Sequence, residues 1–165
     1  MVTRFLILIM FSINVLSASP VSSQTADDYD REKIRALIQS SDWQKRRDAF
    51  TRALAAEDIP LLRESLPFAG LIEAKLVVEM LQKHEDVCAV PGLVLLLEKN
   101  GLPTASNTEI DHYKKILDQA LVAALEDLTS EATIYKDIPI DDMRKLLLDQ
   151  YRLWWDAHEQ FLDCN

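Results

Sequence analysis

Between Asp42 and Leu97 one short phrase occurs twice, which leaves such a chain few folds to choose from. Ile59-Pro60-Leu61-Leu62-Arg63-Glu64-Ser65-Leu66 aligns with Val90-Pro91-Gly92-Leu93-Val94-Leu95-Leu96-Leu97 at an offset of 31 residues. Both copies read as a β-branched residue, then proline at a first helical position, then leucines at helical spacing. A longer helical pattern precedes each, RRDAFTRAL ending at Leu54 and EAKLVVEML ending at Leu81. Two helices recurring every thirty to forty residues mark a helical repeat array.

The remaining periodicity extends that reading. Residues 27–40 form an opening helix with Ile34, Leu37 and Ile38 inward, and Ser41 with Gln44 makes a capping box for the next. In that second helix Trp43, Phe50, Ala53 and Leu54 face a neighbour, with Arg46, Arg47 and Arg52 on or beside the stripe. Residues 71–84 follow, Leu71, Ala74, Val77, Val78 and Leu81 inward and Glu73, Lys75, Glu79 and Lys83 outward. Residues 91–99 are apolar nearly all round and so belong at the centre, and Asn100-Gly101 ends them with a left-handed glycine. Ser106 with Glu109 caps a long helix to about Leu128, with Ile110, Tyr113, Leu117, Leu121 and Leu125 in its stripe. Asp141 caps the last helix, where Met143, Leu147, Tyr151, Trp154, His158 and Phe161 share a face. No stretch alternates as a strand does, so the chain is all α.

The first residues stand apart from this pattern. Met1–Arg4 is a short basic segment, and Phe5–Leu16 is an apolar run of twelve followed by small and polar residues. Twelve residues are too few to cross a bilayer of roughly 30 Å, so residues 1–23 read as a secretory signal cleaved before Gln24. An uncleaved anchor is the alternative. Residues 24–165 then form one domain, long enough for a sizeable core. The formal net charge of −9 becomes −10 once that segment, with Arg4 and no acid, is gone. Such a balance argues against nucleic acid or an anionic membrane surface as partner and allows a basic protein. Cys88 and Cys164 are the only cysteines, and in an exported chain they are expected to pair, fastening the C-terminal helix to the middle of the array. The alternative is two separate thiols.

The chain resembles a HEAT-repeat protein of the small secreted bacterial kind. The resemblance covers about Ile34 to Trp155. It rests on the paired IP-LL and VP-GL helix starts, on the phrase Arg47, Ala49, Phe50, Ala53, Leu54, and on ALVAALEDLTS with Trp154-Trp155 downstream. Ser130 stands where that last pattern has glycine, the second-helix arginine is missing from the unit ending at Leu81, and an insert follows the fifth helix. The resemblance implies a short right-handed α-solenoid, a helical-hairpin array of about six to seven helices that binds a protein on its concave side. Arg46, Arg47, Arg52, Glu73, Lys75, Glu79 and Lys83 are the candidates for that surface.

Catalysis needs converging groups, and the motifs for it are missing. His84, His112 and His158 fall on three different expected helices, none within HExxH or at the i,i+4 spacing of a metal pair. GxSxG and a glycine-rich phosphate loop are absent, with three glycines in all. The expectation is a non-enzymatic protein, without cofactor or metal, located in the periplasm or outside the cell. A periplasmic inhibitor or immunity protein blocking a basic enzyme is the runner-up. An enzyme or ligand carrier built on the apolar Leu93–Leu97 centre comes third.

Overall fold

The computed structural model describes residues 29–102, 108–131 and 139–164, which form seven α-helices and no strand. The expected signal segment and the Ser106 cap lie outside the described residues. Residues 29–102 hold α1 (Arg31–Ile38), α2 (Trp43–Ala55), α3 (Ile59–Ser65), α4 (Leu71–Lys83) and α5 (Val90–Asn100). Beyond them lie α6 (Thr108–Thr129) and α7 (Ile140–His158). A single 3₁₀ turn follows α3, another precedes α5, and a third closes α7.

Consecutive helices pair as α1 with α2, α3 with α4 and α5 with α6. Across the pairs, α2 packs on α4 and α4 along α6; on the other side α1 meets α3, the 3₁₀ turn after α3 meets α5, and α5 meets α7. Two layers result, one of odd-numbered helices and one of even. Between them lies a single apolar core in which Phe50, Leu61, Leu62, Val77, Leu81, Leu93, Leu97, Leu121 and Tyr151 are almost wholly removed from water.

The joints between hairpins repeat as well. α2 and α4 each end in a left-handed glutamate, Glu57 at φ 48° and Glu85 at φ 52°. In both, the amide of the following aspartate reaches back to the helix (Asp58 N to Ala53 O 3.2 Å, Asp86 N to Leu81 O 3.0 Å), the bonding of a Schellman end. Each aspartate is then held by an arginine of the preceding odd-numbered helix: Arg31 to Asp58 at 3.0 Å and Arg63 to Asp86 at 3.2 Å. Glu57-Asp58 leads directly into Ile59-Pro60, whereas the 3₁₀ turn Val87–Ala89 separates Glu85-Asp86 from Val90-Pro91. The doublet was a second repeat signal in the sequence.

Several local expectations are corrected. The N-cap of α2 is Asp42, not Ser41: its carboxylate accepts from the amides of Gln44 (3.0 Å) and Lys45 (3.4 Å). Asp42→Ala should therefore cost about 1 kcal/mol in denaturant unfolding. Ser41→Ala should stay within about 0.5 kcal/mol. The residue capping α7 is Pro139; Asp141 lies in the first turn and bonds Arg144 at 2.8 Å. Gly101 has φ −74°, so the end of α5 needs no left-handed residue. It needs space: a Cβ there would lie 2.3 Å from Arg144 Cδ. Ser130, by contrast, does adopt φ 56°, a conformation in which glycine carries no Cβ penalty.

The buried stripes are as expected at their centres and fail at helix ends. Trp43, in the first turn of α2, is 59% exposed. Ile110 and Tyr113 are exposed because the 22-residue α6 outruns the 11-residue α5. Asn100 Nδ2 donates to Lys114 O at 2.9 Å, which sets the end of α5 level with Lys114 and leaves the first turns of α6 overhanging. Phe161, in the 3₁₀ turn after α7, is 76% exposed.

Candidate partner-binding surface

The seven candidate residues lie on two helices that touch, α2 and α4. Arg46 is half-buried and spends its guanidinium on Ser40 O at 2.7 Å, tying α2 back to the α1–α2 turn. That bond makes it a structural residue. Arg47 and Arg52 are exposed, and neither side chain has an ion-pair partner among the described residues. On α4, Lys75 and Glu79 pair with each other one turn apart, and Lys83 reaches Glu57 at 2.8 Å. Glu73 is half-buried and folds its carboxylate back over Gly70. α2 and α4 thus leave Arg47 and Arg52 in water without an ion-pair partner among the described residues. They set Glu79 against Lys75 at the surface, and commit Arg46, Glu73 and Lys83 partly to the fold.

Charge at the neighbouring joint carries a pH signature. The bond from Lys83, aided by His84 at 3.2 Å, holds the Glu57 carboxyl below the ordinary glutamate range. A carboxyl lowered on folding contributes stability that is complete above the unfolded value of about 4.3 and is lost as pH falls through the folded one. Urea midpoints of wild type and Glu57→Gln should accordingly differ at neutral pH and converge on acidification below that value. At the next joint burial lifts Asp86, with the Arg63 guanidinium pulling the other way. Tyr29 is pushed up to about 12, first by burial and then by donating its hydroxyl to Asp58 at 2.9 Å.

The most buried charged side chain among the described residues was not anticipated. Asp118 of α6 is 5% exposed and takes both arms of Arg144 from α7, at 3.0 and 2.7 Å. Asn100, at the end of α5, donates to the same carboxylate at 2.7 Å, and Arg144 also donates to Leu97 O at 2.7 Å. Three helices meet on one carboxylate. In sequence Asp118 is one more acid on a helix; its only signal was its place beside Leu117 and Leu121 on the inward arc.

The cysteines meet as expected. Cys88 and Cys164 are bonded with Cα atoms 5.4 Å apart, joining the 3₁₀ turn before α5 to the residues after α7. The tryptophan pair is half-buried on both counts, Trp154 stacked at 4.4 Å by an exposed His158, and Trp155 beside Leu95 and Tyr151. His158, placed by the sequence on the shared apolar face of the last helix, is exposed. Leu93, Leu96 and Leu97 are spent on the core, while Leu95 is 61% exposed at the edge of an open groove of about 220 Å³ between α5 and α7. A smaller recess of about 120 Å³ lies between Gly70, Lys99 and Lys114. His84, His112 and His158 lie at the end of α4, on α6 and on α7, and among the described residues no three His, Cys, Asp or Glu side chains gather as a metal site would require. Among those same residues no helix is long and apolar enough to cross a membrane.

No protein-family model, curated protein or solved structure matches this chain.

Proposed function

We propose that the protein is an exported, non-catalytic binding module of HEAT-like organisation that engages a partner protein on the even-numbered layer, chiefly α2 and α4. The repeated joint carries this reading: Arg31–Asp58 and Arg63–Asp86 fasten successive hairpins in the same way, as in a repeat array whose layers form extended surfaces. The Cys88–Cys164 bond supports export to an oxidising compartment, the periplasm or the medium. The acidic excess, −9 over the chain, favours a basic partner and keeps a second reading in view, an inhibitor or immunity protein that blocks a basic enzyme.

The test is retention of a partner from the cell envelope on the immobilised protein. One near-stoichiometric protein should be retained, and Arg52→Glu with Glu79→Lys should reduce that retention at least tenfold while the far-UV spectrum is unchanged. A basic hydrolase as the retained protein would select the inhibitor reading. Empty beads, or retention indifferent to the double variant, would overturn the assignment of this surface.

A further inference from the structure

We propose that the protein associates end to end with copies of itself, the outer face of α7 in one copy meeting the α1–α2 hairpin of the next. α7 is the helix left over: α1, α3 and α5 each have a following partner helix, while the main neighbours of α7 are α5, α6 and its own 3₁₀ turn. Its core-facing side is Met143, Leu147, Leu148 and Tyr151. The opposite side carries Leu146 and Leu153, 54% and 70% exposed, seven residues apart and therefore one above the other. Asp142, Asp149 and Asp156 repeat at the same spacing, and all are exposed. Leucines in a heptad between acids form a seam for another helix, and the charge says which kind.

That charge has its complement at the other end of the helix order. Residues 140–164 hold six acids and three cations, one of which, Arg152, is paired with Glu98. Residues 31–55 hold seven cations and three acids, and after Arg31 pairs with Asp58 and Arg35 with Glu64 the hairpin keeps a smaller cationic excess. The chain is strongly acidic as a whole, so the basic first hairpin is a local feature that the total conceals. It also offers an apolar anchor: Trp43 is 59% exposed, and Arg47 follows one turn on, with no ion-pair partner among the described residues. An exposed tryptophan among cations faces exposed leucines among acids. The two surfaces differ, so the contact is head to tail, and it propagates until a ring closes.

Sedimentation equilibrium on the purified protein tests this without any partner, so its failure leaves the partner-binding reading untouched. Average mass should rise with concentration and pass through the dimer value without stopping. Leu153→Glu, and separately Lys45→Glu with Arg47→Glu, should each leave a folded monomer. So should Asp149→Lys with Asp156→Lys. Mixing the last two charge-reversed proteins should restore association, because the reversed ends match. A wild type monomeric up to about 1 mM would overturn the proposal. So would association that survives all three variants, a mixture that stays monomeric, or a dimer that stops at two and responds to the α7 variants alone. A wild-type monomer that instead binds a lysine- and leucine-rich heptad peptide would assign the α7 face to a foreign helix.

Discussion

Replacing Cys88 and Cys164 by alanine is expected to lower the free energy of unfolding by about 4 kcal/mol. The bond closes a loop with a sequence separation of 76, and its removal restores that loop's freedom to the unfolded chain. For a domain of this size the loss corresponds to a fall in Tm of roughly 10 °C. The effect should be larger than entropy alone gives if α7 also loosens, because the residues after Phe161 have little burial to hold them. Guanidinium unfolding of the native protein with and without reductant measures it directly. Coincident midpoints would mean that the bond contributes nothing, or that the reduced unfolded chain keeps the same residues together. Thiol counting is the accompanying control: the native protein should resist alkylation until reduced.

Asp118→Ala should cost about 3–5 kcal/mol, the second large effect. It leaves the Arg144 guanidinium, its side chain 12% exposed, without its buried carboxylate partner, and the ion pair that remains is with the 74% exposed Asp141. An arginine stays protonated even without that bond, so losing a proton is no escape. The partners' other bonds decide what happens when both charges go. With Arg144 replaced by methionine and Asp118 by leucine, Leu97 O still accepts from Gly101 N at 3.3 Å and Asn100 Nδ2 still donates to Lys114 O. No polar group of the node is then stranded, and the double variant should recover most of the stability lost in Asp118→Ala. Equal destabilisation by the single and double variants would show that the ion pair itself, rather than the avoidance of an orphan charge, holds α5, α6 and α7 together.

What the sequence made legible was whatever depends on neighbours along the chain. Pro60 and Pro91 mark α3 and α5 because a proline in the first turn removes an amide that has no partner there anyway. The stripes Ala74-Val77-Val78-Leu81 and Leu117-Leu121-Ala124-Leu125 lie in the core because helical spacing alone gathers them on one side. The failures all involve a third body. Ser41 and Asp42 are equally good caps on paper, and the turn leaving α1 decides between them. Trp43, Ile110 and Phe161 obey the periodicity of their helices and stand where no other helix covers them. Gly101 was assigned a backbone role when its use is to leave room for an arginine more than forty residues away. Asp118 is the sharpest case, since beyond its place on the inward arc everything that sets it apart comes from Asn100 and Arg144 on other helices. Among the candidate surface residues, charge and exposure were readable for Arg47, Arg52 and Glu79. The bond that withdraws Arg46 was not, because its acceptor is a backbone carbonyl of the preceding turn.

The Cys88–Cys164 bond also fixes how the protein would answer a pull on its two ends. Tension entering at the N-terminus would pass along α1 to α4, reach Cys88 and cross straight to Cys164, bypassing the chain between them. The first two hairpins would extend while α5, α6 and α7 carried no load, and reduction would put the hidden length into the force path. A protein anchored at one end and held by a partner near the other would thus have a yielding half and a locked half, with the redox state of its surroundings setting the length it can give.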